Sequence, residues 1–251
     1  MCNVKRYESV RLEKKVTEIV MPIRAVLFDL DNTLTHRDQS IQQYSKFLLQ
    51  QFQSDLFAAD LEKIQQIIRR IDNGGYPKKE ELTHPSIGAS VAFALLQELA
   101  WKTEIDFHDL TDFWLQHFGQ CAVAMSGALE LLQSLKQQDY ALAVVSNGGH
   151  ATRLNILHGL GFTDYFDEII SSELVGMSKP HKEIFLHGAE SLRVHPSECL
   201  FIGDHPVNDI RGAQQAGMQA IWLQGFHPED ESLHVPRIQQ LQELYAYLEQ
   251  P

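Results

Sequence analysis

The first sustained apolar run, Ala25-Val26-Leu27-Phe28, stops at two acids, Asp29 and Asp31, one residue apart. A short apolar run bounded by polar residues reads as a buried strand. Two carboxylates so close repel each other unless a cation, donors or solvent offset the cost. From about residue 40 to 117 the period changes to that of helices. Tyr44, Phe47, Leu48 and Phe52 share one face, as do Leu61, Ile64, Ile67, Ile68 and Ile71, and then Val91, Ala94, Leu95 and Leu99. Between them Asp72-Asn73-Gly74-Gly75-Tyr76-Pro77 reads as a turn.

Strand and helix then alternate. Helices are expected over Ala128–Lys136, Leu154–Leu160, His181–Leu192 and Ile238–Leu248, with Gly161 stopping the second. Strands are expected over Ala141–Val145, Glu168–Ile170, Leu200–Ile202 and Gln219–Leu223. Pro206 suits the first turn of a further helix closed by Gly217. Such alternation predicts an α/β fold, a doubly wound, Rossmann-like parallel sheet with helices on both faces and a smaller all-helical domain inserted after the first strand. The ligand site then lies beyond the carboxyl ends of the strands. Asp29 and Asp31, Ser146 and Asn147, and Asp204 all fall at those ends.

A hydrophobic fraction of 44% is enough for a sizeable core, and a net charge of −12 argues against a general nucleic-acid binder. It leaves room for a small anionic substrate in a locally positive site. The cysteines Cys2, Cys121 and Cys199 are odd in number and scattered, which suits a reducing compartment. No apolar run approaches the ~20 residues of a membrane span. The first twenty residues lack the apolar stretch of a secretory signal, so a cytoplasmic location and no membrane partner are expected. Residues 1–20 read as an extension, with Met21 an alternative start.

Read as chemistry, the strand-end residues comprise carboxylates, a hydroxyl with an amide, the lysine of Ser178-Lys179-Pro180, and the acids of Gly203-Asp204-His205-Pro206-Val207-Asn208-Asp209. Oxygen-rich ligation suits Mg²⁺, and a lysine beside a hydroxyl suits an anion. Together they describe a pocket for a phosphoryl group bridged to Mg²⁺. Alone, each fragment is an ordinary turn, helix cap or solvated surface.

Four motifs in order, FDLDNTL, VVSNG, SKP and FIGDHPVND, run from residue 28 to 209. In them the chain resembles the haloacid dehalogenase-like (HAD) superfamily, most of whose members are phosphatases. The resemblance implies Asp29 as nucleophile, forming an aspartyl-phosphate, and Asp31 as general acid/base, with its backbone carbonyl on the metal. It implies Ser146 and Asn147 as phosphoryl-binding groups, Lys179 as the cation that neutralises the phosphoryl oxygens, and Asp29, Asp31 and Asp204 as the metal set. Asp209 would orient Lys179 or a metal-bound water. His36 and His205 match no motif position and are read as peripheral.

An acid at Asp31 implies phosphate-ester chemistry rather than dehalogenation, because an alkoxide leaving group needs a proton. The resemblance divides the chain into a catalytic core of residues 21–39 and 118–251 and a helical cap of residues 40–117. Tyr76 and Lys79, in and beside the glycine turn, are candidates for reading the substrate, a small phosphorylated metabolite. A sugar phosphomutase shares the same core residues. A two-component receiver combines similar groups, but its phosphoacceptor follows a later strand and it has no helical insertion after the first.

Overall fold

The computed structural model describes residues 22–248, so Cys2, Met21 and the expected extension lie outside the described residues. Six strands form one sheet there: β1 (Ala25–Phe28), β2 (Ala141–Ser146), β3 (Glu168–Ser171), β4 (Cys199–Gly203), β5 (Gln219–Leu223) and β6 (Arg237–Ile238). Their order is β3-β2-β1-β4-β5-β6, and every pairing is parallel. Ala25 is in register with Ala141 on one side and Cys199 on the other, which makes β1 the centre of the sheet.

Both faces of β1 are buried. Val26 and Phe28 belong to one apolar cluster, and Ala25 and Leu27 to another. This is the two-residue period of a strand covered on both sides. The first cluster also takes in Ile41, Tyr44, Ile68 and Trp114 from the segment that follows β1, so that segment packs on the sheet rather than hanging from it.

Of the five α-helices between β1 and β2, the first four make up the long helical segment: α1 (Arg37–Phe52), α2 (Leu61–Asp72), α3 (Ile87–Glu98) and α4 (Phe107–His117). Local chemistry starts them. Asp60 accepts from the Lys63 N–H at 2.9 Å, Ser86 from Ala89 at 3.1 Å and Asp106 from His108 at 2.7 Å, each satisfying a donor that the first turn leaves unpaired. α2 ends on Asn73 in the left-handed region, φ +46°. The Asp72 carboxylate then accepts from the Gly75 N–H at 3.0 Å, which shapes the glycine turn.

The remaining helices are α5 (Ala128–Gln137), α6 (His150–Leu160), α7 (Ser172–Val175), α8 (Lys182–Ser191), α9 (Gly212–Gln215) and α10 (Tyr245–Leu248). Two expected elements come out differently. The closing helix over Ile238–Leu248 is replaced by β6, a 3₁₀ turn at Leu241–Leu244 and the short α10. Ile238 is taken by the sheet edge, where it pairs with Leu223 and accepts from the Gln224 N–H at 2.8 Å. The apolar spacing Ile238, Leu241, Leu244 serves a 3₁₀ turn as well as an α-helix. The helix from Pro206 opens as a π-helical turn, Pro206–Arg211, because the His205 carbonyl accepts from both Asp209 and Ile210.

Candidate active site

The carboxyl ends of β1, β2 and β4 meet at one buried polar cluster, where the strand order turns about β1. Asp29 follows β1 directly, and its N–H still donates to Ile202 of β4 at 2.9 Å. Its Oδ1 accepts from Lys179 Nζ at 2.5 Å, while Oδ2 is buried with no hydrogen-bond partner. After Asp29 the chain folds into a tight loop. The Leu30 carbonyl accepts from Thr33, Leu34 and Thr35, and Asn32 takes a left-handed φ of +60°.

That loop carries Asp31 back to the same cavity, between two arginines. Arg37 Nη1 donates to Oδ1 at 3.0 Å and Arg153 Nη1 to Oδ2 at 2.7 Å. Burial pushes the Asp31 carboxyl up, but the two guanidinium groups outweigh it and hold Asp31 below the usual carboxylate range. Asp29 goes the other way. Burial, with Asp209 and Asp31 nearby, outweighs the pull of Lys179 and raises it to about 7. Two acids one residue apart therefore sit in opposite environments.

Lys179 is 5% exposed and bridges Asp29 and Asp209, the latter at 2.7 Å. Burial alone would lower its affinity for a proton, but Asp209 and Asp29 reverse that and keep it a cation. Asp209 is saturated, because its other oxygen accepts from the His205 N–H at 2.9 Å. Asn147 pins the lysine backbone, accepting from its N–H at 2.8 Å and donating to its carbonyl at 3.1 Å. The side-chain amide of Asn147 is thus committed to Lys179. Ser146 ends β2 with its hydroxyl 3.3 Å from Arg153 Nη1.

Asp204 follows β4 and is fully buried. Tyr76, from the glycine turn after α2, donates its hydroxyl to Asp204 Oδ1 at 2.9 Å. His227 Nε2 lies 3.2 Å from Oδ2 but off the line of a hydrogen bond, so that oxygen remains unpaired. Burial, as its largest cause, pushes Asp204 upward. The Tyr76, His205 and His227 rings pack together, with centroids 4.3 to 5.0 Å apart.

Asp29, Asp204 and Asp209 each offer an oxygen, all within 4.8 Å of one another. The orphaned oxygens belong to Asp29 and Asp204, whereas both Asp209 oxygens are spoken for. Buried carboxylate oxygens without donors are costly, and two converging ones suit a hard divalent cation. The donor set therefore fits Mg²⁺, with Asp209 behind the ligands rather than among them. A cavity of about 410 Å³ opens over this cluster, lined by Asp29, Asp31, Tyr76, Ser146, Lys179 and His205 among others.

Most residues singled out from the sequence converge here. Lys79 does not: it is exposed on a 3₁₀ turn and lines no part of this cavity. His36 caps α1 and packs edge-on against Phe226, away from the acids. His205, expected to be peripheral, instead lines the cavity, because its Nδ1 accepts from the Val207 and Asn208 N–H groups and this capping turns the ring toward Tyr76. Arg37, Asp72, Arg153 and His227 were not legible as site residues. A signal existed for two of them: Asp72 extends the apolar stripe of α2, and Arg153 lies on the α6 face of Ile156 and Leu157.

The family model for haloacid dehalogenase-like hydrolases matches residues 23–217. A glyceraldehyde 3-phosphate phosphatase of Methanopyrus kandleri is 26% identical over 205 residues, covering 79% of this chain and 83% of its own. The Bacillus subtilis HAD-hydrolase YfnB is 30% identical over 230 residues, covering 90% and 95%. The magnesium-bound crystal structure of YfnB superposes with a TM-score of 0.69 over 92% of this chain and all of its own, at 25% identity. A phosphoserine phosphatase of Thermus thermophilus is 34% identical over 100 residues, 39% of this chain and 40% of its own. With the sheet order, the acid cluster and a family match over more than half the sequence in agreement, the chain belongs to the haloacid dehalogenase-like hydrolase family.

Proposed function

We propose that the protein is a Mg²⁺-dependent phosphatase that hydrolyses phosphomonoesters of small metabolites through a covalent intermediate on Asp29. The observation that carries this reading is the pairing of Asp29 with Lys179 at 2.5 Å, while Asp31 stands opposite between two arginines. One carboxylate is placed to act as nucleophile and the other to handle protons.

Asp29 attacks phosphorus. The bond from its carboxylate oxygen to phosphorus forms as the ester bond breaks, and the leaving oxygen takes a proton from Asp31. In the second step water attacks the same phosphorus, Asp31 takes its proton, and the Asp29–phosphorus bond breaks to release phosphate. Arg37 and Arg153 hold Asp31 in its ionised form in the free site. The second step uses that form, and the first draws on the protonated form, which Asp31 reaches by taking a proton from solvent. Lys179 neutralises charge on the phosphoryl oxygens, and Ser146 offers them a hydroxyl. Mg²⁺, held by Asp29, Asp204 and the Asp31 carbonyl, would supply charge neutralisation for the phosphoryl group. Asp209 and Asn147 position Lys179 from its two ends, side chain and backbone.

The helical segment of residues 40–117 acts as the cap, and the core is residues 21–39 and 118–251. Tyr76 is the cap residue that reaches the acids. A cavity of about 410 Å³ accommodates a small phosphorylated metabolite.

The test is release of inorganic phosphate from p-nitrophenyl phosphate and a metabolite panel, with Mg²⁺ and with chelator. Activity that survives chelation, or that persists in Asp29→Asn, overturns the proposal. A phosphorylated product isomeric with the substrate, without phosphate release, would mark a mutase instead.

A further inference from the structure

A second cavity of about 280 Å³ lies beside the first, sharing Gly75, Pro77 and Asn147 in its wall. Its charged lining consists of Arg37 and Arg153, with no acidic side chain, in a chain of net charge −12. The two arginines differ in how they are used. Arg37 spends all three guanidinium nitrogens, on Asp72 and Asp31. Arg153 is 6% exposed, and every hydrogen bond it makes among the described residues runs through Nη1, to Asp31, Ser146 and the Asn147 carbonyl. Its Nε is buried with no partner. A guanidinium presents a fork of donors suited to a bidentate carboxylate or phosphate, and here one edge of the fork is left open.

A glycine packs close to that edge without a side chain to cover it. At Gly148 φ is +127°, and a Cβ there would lie 3.3 Å from Cζ and Nη2 of Arg153. Leu82, Ile87 and Trp114 supply apolar wall in the same cavity.

We infer that this cavity, with the unpartnered edge of the Arg153 guanidinium in its wall, is a subsite for a second acidic group of the substrate. The preferred substrates are then phosphomonoesters that also carry a carboxylate or a second phosphate. Arg153 would grip that group on one side while its Nη1 stays beside Ser146 and Asp31, so one residue ties recognition of the acid to placement of the phosphoryl group. The inference rests on the phosphatase reading above.

The test is a comparison of kcat/KM within matched pairs in the intact protein with Mg²⁺. 3-Phosphoglycerate is set against glyceraldehyde 3-phosphate and glycerol 3-phosphate for a carboxylate, and glucose 1,6-bisphosphate against glucose 6-phosphate for a phosphate. A charge-assisted bidentate contact should favour the acidic member of one pair by about 10-fold or more, and the pair that shows it identifies the acid. Arg153→Gln should bring that ratio to within about 2-fold of one. Thr152→Asp, which sets a carboxylate on the cavity wall, should lower the same ratio and serves if Arg153→Gln does not fold. Wild-type ratios near or below one in both pairs overturn the subsite while phosphate release from any ester leaves the phosphatase reading standing. No release from any ester, p-nitrophenyl phosphate included, overturns the phosphatase reading itself.

Discussion

Arg37, the first residue of α1, donates to Asp72, the last residue of α2, from Nε at 3.1 Å and from Nη2 at 2.5 Å. Its remaining nitrogen reaches Asp31 at 3.0 Å. Both partners in the Arg37–Asp72 pair are almost wholly buried, at 2% and 0% exposure. One guanidinium thus joins the inserted helices to the loop that carries the second acid of the site. Removing Asp72 alone leaves the buried Nε and Nη2 of Arg37 without an acceptor while Nη1 keeps Asp31, whereas removing both residues strands neither, because Asp31 keeps Arg153.

Asp72→Ala should therefore lower stability by about 3–5 kcal/mol. The double variant Arg37→Met/Asp72→Leu should recover most of that loss. Chemical denaturation of the wild type, both single variants and the double variant completes the cycle. Equal destabilisation by the single and double variants would show that packing, and not the stranded charge, carries the cost.

Asp29→Asn removes the nucleophile but keeps its volume. Phosphate release should fall by a factor on the order of 10⁴ or more. Thermal stability should stay level or rise, because the change takes away a buried carboxylate with an unpaired oxygen. Parallel rate and melting measurements check both halves.

Tyr76→Phe deletes the hydroxyl that donates to Asp204 at 2.9 Å. An Asp204 oxygen freed from that donor should bind Mg²⁺ more tightly, by about 2- to 10-fold, the range for one charge-assisted hydrogen bond. The indole N–H of Trp222 donates to the Asp204 carbonyl at 2.7 Å, so tryptophan fluorescence offers a readout of metal binding independent of turnover. A weaker Mg²⁺ affinity in the variant would mean that Tyr76 positions Asp204 rather than competing for it.

Asp167 gives a pH dependence with a definite sign. Burial raises its carboxyl, but the Lys136 ammonium at 2.8 Å and the Leu142 N–H at 2.8 Å outweigh it and hold Asp167 below the usual range. A carboxyl depressed in the folded state contributes stability above its unfolded pKa of about 3.9, and loses it as pH falls through the lower folded value. Asp167→Ala should cost about 1 kcal/mol near neutral pH, where the Leu142 donor at the start of β2 loses its partner. Denaturation curves at pH 7 and pH 2.5 check this: the gap between wild type and variant should narrow at the lower pH.

Strands were the most legible part of the fold. Gln219–Leu223 and Ala25–Phe28 appear as read, because a parallel strand buried on both faces is a continuous apolar run. The C-terminal segment was misread because Ile238, Leu241 and Leu244 sit at a spacing that helix, 3₁₀ turn and sheet edge can all use. Only the open edge of β5 selects among them. At the site, the acids and Lys179 were legible because their identities are bound to strand ends and motif order.

Local order in the chain was enough to specify the alternation of strands and helices, the run of residues that becomes the site, and the position of the helical insertion. These depend on side-chain type and spacing within a few residues. Tertiary structure alone decided how those side chains are used. It paired Arg37 with Asp72 across 35 residues and Arg153 with Asp31 across 122. It brought Tyr76 onto Asp204 across 128 residues and left one edge of Arg153 open beside Gly148. Such partners are matched by burial, where an unpaired charge is costly, and burial is set by the packed sheet and its inserted helices rather than by neighbours in sequence.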